Sequence, residues 1–220
     1  MNMKRAIFII SFVLLCVLAN AQEHISFNGA TFGKTQQEFQ ASINGHPTYS
    51  YLLNHPNKNL YHRYYYSNIP LNTYQCRMFL HCSTKSKIVF ETVTWFRVSD
   101  LKEELKYFVQ IFEEKYGAHV SEPQSELGYA GDISLSINAG NDGYYSYSHG
   151  YHKEMLALKY TVHRKSDNKA IGEIRISATP DGKSTDGSPS NYGWLEITYR
   201  DFAAAQTAVN EYNGVMNSIL

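Results

Sequence analysis

The sequence predicts an α+β fold in which helices pack on a mainly antiparallel sheet. Three segments repeat apolar side chains every three or four residues, and the segments between them alternate apolar and polar residues. Short polar stretches at 83–86 and 165–168 separate pairs of alternating segments, as hairpin loops do. Helices that follow runs of strands indicate an α+β layer rather than a doubly wound α/β fold.

Residues 1–21 have the order of a secretory signal peptide. Lys4 and Arg5 precede an apolar run over 6–18, and Ala19-Asn20-Ala21 is an A-x-A cleavage site. The run is shorter than the roughly 20 apolar residues that a membrane helix needs. We therefore expect a mature chain that begins at Gln22 and is secreted or periplasmic, with no transmembrane segment after cleavage.

Two further observations limit the class of protein. Leu15 precedes Cys16 where a bacterial lipobox has a small residue, so we do not expect a lipoprotein. The leader holds two of the 20 basic residues and none of the 20 acidic ones, which leaves the mature chain a formal charge of −2. That balance attracts neither phosphate backbones nor an anionic membrane surface, so no nucleic-acid partner is expected. Residues 22–220 suffice for a single α+β domain.

The first helix is predicted by a capping box. In Thr35-Gln36-Gln37-Glu38, the threonine hydroxyl and the glutamate carboxylate can each accept a hydrogen bond from a free amide of the first turn. The helix should run to about Ile43, because Asn44-Gly45 is a natural stop.

Strands are predicted where Tyr, Ile, Val, Thr and Trp alternate with polar residues. These segments are 61–67, 74–82, 87–97, 133–138, 144–151, 155–163, 170–178 and 193–200. Cys76 and Cys82 lie on one face of the second segment. Six steps along a strand separate their sulfurs by about 20 Å, so we predict two free, buried thiols rather than a disulfide.

Two longer amphipathic helices complete the pattern. The first begins with Asp100 as its cap and should end at Gly117; its apolar stripe is Leu101, Leu105, Phe108, Phe112 and Tyr116. The second begins at Asp201, with a predicted stripe of Phe202, Ala205, Val209, Tyr212, Met216 and Ile219. Each helix should dock on the sheet through its stripe.

A weak internal repetition suggests two similar halves, 22–120 and 128–220. In each half, a strand ending in arginine (Val93 to Arg97, and Leu195 to Arg200) leads through an aspartate into a long helix. Ordinary α+β proteins also end in this way, so a single undivided domain remains the alternative.

Three parts of the chain resemble uncharacterised small secreted proteins of gut Bacteroidales. These are the start of the mature chain from His24 to Phe39, the segment Cys76-Arg77-Met78-Phe79, and the closing 195–201. The sequence departs from that group at Ala30-Thr31, where its members have Ile-Pro. The resemblance implies an exported protein that begins with a strand, a turn and a helix, and the group has no established activity to carry over.

Catalytic and metal-binding motifs give no candidate reaction. The chain contains no G-x-S-x-G and no H-E-x-x-H, and Gly182-Lys183-Ser184 lacks the upstream glycine of a phosphate loop. His149 and His152, with Asp142 and Glu154 nearby, form the best metal candidate, but residues three apart on a strand point to opposite faces. We predict no catalytic residue, no metal and no cofactor.

Tyrosine is the unusual feature of the composition, with 18 residues against 11 Phe and 2 Trp. Tyrosine supplies a rigid apolar plate with a polar tip, as recognition surfaces require. We predict that Tyr64, Tyr66, Tyr145 and Tyr147 bind a ligand. Tyr64 and Tyr66 would then face outward and Tyr65 inward, although alternation along the strand allows the reverse. Alternatively, these tyrosines line half-buried strands.

These observations predict a secreted or periplasmic, non-enzymatic binding protein whose protein or glycan partner is unknown. A structural or envelope-assembly protein and a hydrolytic enzyme are the alternatives.

Overall fold

A computed structural model describes residues 24–45, 48–53, 61–123, 156–181 and 191–217. The elements in chain order are β1 Ser26–Phe27, β2 Ala30–Thr31, α1 Gln36–Ser42, β3 Thr48–Leu53, β4 His62–Leu71, β5 Tyr74–Cys82, β6 Val89–Val98, α2 Leu101–Tyr116, β7 Val120–Pro123, β8 Leu156–His163, β9 Ala170–Pro180, β10 Gly193–Asp201 and α3 Phe202–Asn217. The α+β class is confirmed. The leader and the predicted strands 133–138 and 144–151 lie outside the described residues. Within the described ranges, no helix has both the length and the apolar character of a membrane span.

One eight-stranded antiparallel sheet dominates the fold. Its strand order is β3-β4-β5-β6-β10-β9-β8-β7, and β1 and β2 form a separate antiparallel pair. Two four-stranded meanders therefore meet side by side at the β6–β10 seam, and a long helix follows each meander. The two long helices pack on opposite faces of the sheet, in separate hydrophobic clusters. The similarity of the two halves stays a prediction.

One face of the sheet, here called the core face, carries the hydrophobic core. Helix α2 buries Leu101, Phe108 and Phe112 there, and α1 contributes Phe39. The residues that the eight-stranded sheet contributes to this core are Tyr66, Ile69, Cys76, Met78, Leu80, Cys82, Val89, Phe96, Val98, Leu158, Tyr160, Val162, Ile171, Ile174, Ile176, Leu195, Ile197 and Tyr199. The predicted stripe of α2 is confirmed, since Leu105 and Tyr116 also pack against this cluster.

The predicted helix starts are confirmed in detail. Glu38 N donates to the Thr35 hydroxyl and Thr35 N donates to Glu38 Oε2 at 3.0 Å, which completes the capping box of α1. Asp100 Oδ1 accepts from Glu103 N at the start of α2, and Gly117 caps its end. Satisfying otherwise free amides in this way contributes about 1 kcal/mol at each helix start.

Asp201 links the N-terminal segment of the described chain to the start of α3. Its Oδ1 accepts from Ala204 N at 2.9 Å and so caps α3, and its Oδ2 accepts from Ile25 N at 2.8 Å. His24 Nδ1 lies 2.9 Å from Oδ1, and the His24 ring packs against Gly33, where a Cβ would come within 2.5 Å of it. One buried carboxylate therefore fixes both the helix start and the N-terminal strand.

The predicted stripe of α3 is only partly right. The buried residues are Ala204, Ala205, Ala208 and Val209, whereas Phe202 is 38% exposed. Ala204, Ala205 and Ala208 pack on Tyr61 and Phe90, with Tyr212 beside them; Ile219 lies outside the described residues. Small alanines let the helix approach the sheet closely, so the face they form, rather than the one led by Phe202, is the docked face.

Several strand boundaries differ from the prediction. Strand β4 runs on to Leu71 because a bulge between Tyr66 and Ile69, with Asn68 at φ +58°, absorbs the turn-like residues that suggested an end at 67. Strands β3 and β7 were not predicted. The other predicted strands within the described ranges agree to within two residues, and both predicted hairpin loops are confirmed.

Cys76 and Cys82 are free and buried on the core face, as predicted. Burial raises the pKa of each thiol to about 12, so neither is a reactive thiolate near neutral pH. We expect both to react with a maleimide only after denaturation, and the intact mass to be unchanged by reductant. A mass two units higher after reduction would mean that the two residues do not share one continuous strand.

Candidate functional site

The face of the sheet opposite the core, here called the polar face, carries a row of buried charged residues. Arg63, His81, Glu91, Arg200 and Glu173 are successive cross-strand neighbours on β4, β5, β6, β10 and β9. We call these five residues the charge rung. None is more than 6% exposed. Buried charges are costly unless they are paired, so the contacts within the rung decide whether this face is stable.

On one side of Glu91, the rung fixes the tautomer of His81. Arg63 Nε donates to His81 Nε2 at 2.9 Å, and His81 Nδ1 lies 2.7 Å from Glu91 Oε1. Arginine can only donate, so Nε2 must be the acceptor and the proton must sit on Nδ1, from which it is donated to the carboxylate. His81 is therefore a neutral imidazole between a cation and an anion.

On the other side of Glu91, the rung continues through ion pairs across the seam. Arg200 Nε donates to Glu91 Oε2 at 2.7 Å, and its Nη1 lies 3.4 Å from Glu173 Oε1. Arg175, which neighbours Glu173 on β9, brings its Nε to 3.2 Å from the same oxygen. The two meanders are thus held together by charge as well as by the backbone ladder of β6 and β10.

The pKa values of the rung follow from this arrangement. Burial lowers the pKa of His81 to about 4, and Arg63 and Arg200 add to that lowering against the opposing pull of Glu91. Burial raises the pKa of Glu91, but Arg200 and the hydrogen bond from His81 more than offset it, so that this pKa lies well below its usual range. At neutral pH, His81 is uncharged and Glu91 is ionised.

His81 and Glu91 have the residue types of a catalytic dyad but not its accessibility. Both ring nitrogens of His81 are held by other side chains, and the residue is 0% exposed. A general base needs a free nitrogen within reach of the proton that it removes. The pair is therefore a structural contact. Among the described residues, no group of His, Cys, Asp and Glu could hold a metal ion, and the candidate at His149 and His152 lies outside them.

Beside the charge rung, three half-buried rings on adjacent strands form an aromatic cluster. Tyr65 on β4, Phe79 on β5 and Trp95 on β6 have ring centroids 5.9, 6.0 and 4.5 Å apart for the pairs Tyr65–Phe79, Tyr65–Trp95 and Phe79–Trp95. The Arg63 guanidinium lies 4.9 Å from the Phe79 centroid. That cation–π contact connects the aromatic cluster to the charge rung.

Two exposed arginines border the aromatic cluster. Arg77 lies directly opposite Trp95 in the β5–β6 register. Arg97, two residues further along β6, holds Asp181 with Nε at 2.8 Å and Nη2 at 2.7 Å. The charge of Arg97 is therefore already matched, whereas Arg77 has no ion-pair partner among the residues that the structure describes.

The predicted ligand-binding tyrosines are placed differently from the expectation. Tyr66 is 0% exposed on the core face, where its hydroxyl contacts the side chains of Gln36 and Gln40, so it does not face outward. Tyr64 is half-buried against the same core. Tyr65 lies on the polar face, two residues from Arg63. Tyr145 and Tyr147 lie outside the described residues, and ligand binding by any of the four stays a prediction.

Phe79 and Trp95 were not predicted as site residues from the sequence. The available signal was parity, because Tyr65, Phe79 and Trp95 share the strand faces of Arg63, His81 and Glu91, which are two or four residues away. Residues an even number of positions apart share a strand face, but this rule brings the three rings together only once the register of β4, β5 and β6 is known.

The comparisons with known proteins add no functional assignment. No protein-family model, no curated protein and no solved structure matches this chain.

Proposed function

We propose that the protein is an exported, non-enzymatic binding protein that holds its ligand against the aromatic cluster on the polar face. The observation that carries the proposal is the arrangement of Tyr65, Phe79 and Trp95, three half-buried rings in mutual contact on adjacent strands. Aromatic rings that are partly solvent-accessible and already fixed in place lose little conformational entropy on binding.

The surroundings of the aromatic cluster support its rigidity. Val93, which lies between Phe79 and Thr198 in the register, is 6% exposed, and Thr198 is 2% exposed. Arg63, whose guanidinium packs against Phe79, is itself held by His81 and by the Tyr61 hydroxyl at 3.3 Å. The rings are therefore flanked by buried side chains that hold them in place, as a preorganised site requires.

Replacing Trp95 with Ala should remove ligand binding while leaving the protein folded. Aromatic anchors contribute roughly 2 kcal/mol or more to an interface, which corresponds to a loss of about 30-fold or more in affinity. Because Trp95 is only half-buried, we expect its truncation to cost roughly 1–2 kcal/mol of stability, less than a fully buried aromatic. Two measurements compare wild type and variant. One is the binding of each protein to immobilised glycans, and the other is the capture of detergent-extracted envelope proteins by each immobilised protein.

Trp95→Phe is the matched control, because it keeps a ring in the cluster and should retain most of the binding. Unchanged retention by a folded Trp95→Ala protein would contradict the proposal, as would loss of binding only in proportion to the unfolded fraction.

Export is part of the same proposal and is supported by the leader at 1–21. The intact-mass measurement used for the thiols tests it when the protein is produced in a secreting host. A mature chain beginning at Gln22 supports export, and retention of the leader would contradict it.

A further inference from the structure

We propose that the ligand of the aromatic cluster is an acidic saccharide, whose sugar ring lies on Trp95 and whose carboxylate pairs with Arg77. This inference rests on the proposed function and deepens it. It depends on where Arg77 sits and on how little surface the aromatic cluster offers.

The position of Arg77 fits an anionic group on the ligand. Arg77 is exposed and lies directly opposite Trp95 in the β5–β6 register, so a ligand stacked on the indole is within reach of the guanidinium. Glu196, which lies opposite Trp95 in the β6–β10 register, is half-buried, with its Oε1 turned away from solvent. A guanidinium is a planar donor that binds a carboxylate through two parallel hydrogen bonds. Arg97 does not compete for this role, since Asp181 already occupies its Nε and Nη2.

The size of the aromatic cluster favours a saccharide over a protein partner. A fully enclosed aromatic side chain buries about 150–250 Å², so three half-buried rings leave at most a few hundred Å² for contact. A stable protein interface needs about 800 Å² from each partner. A sugar ring presents a flat patch of C–H groups of the size of one indole, and its hydroxyls can bond the Tyr65 hydroxyl and the exposed Gln75.

The test uses oligogalacturonate, which carries one carboxylate per sugar, and the same oligosaccharide with its carboxyl groups reduced to alcohols. We expect wild type to bind the acid form at least tenfold more tightly, because a hydrogen bond to a charged group is stronger than one between neutral groups. Arg77→Gln should abolish this preference while leaving the weaker binding of the neutral form. Trp95→Ala should lose both.

Lys102→Gln is the control for net charge, because it removes one positive charge from an exposed residue of α2, the helix that covers the core face. It should keep the full preference for the acid form.

Three outcomes would overturn the inference: equal binding of the two forms, a preference that survives Arg77→Gln, or no binding of either form by wild type. The proposed function is judged separately. The proposed function stands if another ligand that wild type binds is no longer bound by Trp95→Ala. It fails together with the inference if Trp95→Ala binds every ligand as well as wild type does.

Discussion

Replacing Glu91 with Gln is expected to destabilise the protein by about 3–5 kcal/mol, the range for removing one partner of a buried charge pair. The change keeps the shape of the side chain but removes the negative charge between His81 and Arg200. Arg200 would then lose its partner across the seam. Urea unfolding followed by circular dichroism measures the effect as a lower midpoint.

The control for this prediction is an exposed ion pair. Glu103 contacts Lys106 at 2.6 Å on the solvent side of α2, with both side chains more than 60% exposed. Glu103→Gln should change the stability by less than about 1 kcal/mol. If Glu91→Gln costs no more than this control, the charge rung does not hold the polar face together.

The pH dependence of stability tests the rung without a substitution. His81 has a lowered pKa in the folded state, so its contribution is complete above about 6.5, the ordinary value, and is lost as the pH falls toward about 4. Glu91 also has a lowered pKa, and its contribution is lost below 4.5. Both contributions therefore make acid destabilising. In Glu91→Gln the decrease in the free energy of unfolding below pH 4.5 should be smaller, because Glu91 no longer titrates. The decrease between about pH 6.5 and 4.5, which is due to His81, should remain.

Replacing Tyr66 with Ala is expected to cost about 3–5 kcal/mol, because it truncates a fully buried aromatic side chain. Tyr66→Phe keeps the ring and removes only the hydroxyl that contacts Gln36 and Gln40. It should cost about 1–3 kcal/mol, because the glutamine side chains lose a partner. Thermal melts of the two variants measure the difference.

A neighbouring tyrosine provides the contrast. Tyr65 precedes Tyr66 on β4 but lies half-buried on the polar face. Tyr65→Ala should therefore destabilise the protein less than Tyr66→Ala does. Equal, small effects at both positions would mean that Tyr66 is exposed and would contradict the assignment of Tyr66 to the core face.

Local chemistry explains which parts of the fold were predictable. The caps of α1 and α2 involve Thr35 with Glu38 and Asp100 with Glu103, pairs only three residues apart. The hairpins were predictable for the same reason, since their loops lie next to their strands. The general α+β class follows from these local elements.

The faces of the strands depend on bulges that the sequence does not announce. Between β5 and β6, His81 pairs with Glu91 but Cys82 pairs with Val89, which leaves Phe90 as an extra residue. Phe90 therefore lies on the polar face beside Tyr61 and under α3, the same face as its neighbour Glu91. Regular alternation would place Phe90 and Glu91 on opposite faces. A one-residue shift reverses the face of every following side chain, so alternation alone could not predict that Phe90 and Glu91 share a face.

The charge rung was invisible in the sequence because its members are distant from one another. Glu91 and Arg200 are 109 residues apart and become neighbours only when β10 inserts beside β6. Scattered charged residues on strands otherwise indicate a solvated face. The aromatic cluster was hidden for the same reason, since Tyr65, Phe79 and Trp95 come from three separate strands.

The most direct test of the proposed site is fluorescence quenching of Trp95, because a ligand can bind there only if the indole ring is open to solvent. The chain has two tryptophans, so Trp194→Phe leaves Trp95 as the only indole. We expect acrylamide to quench it readily in the folded protein, and iodide to quench it less after Arg77→Gln removes the adjacent positive charge. Quenching no stronger than that of a fully buried indole, rising only on unfolding, would contradict the account.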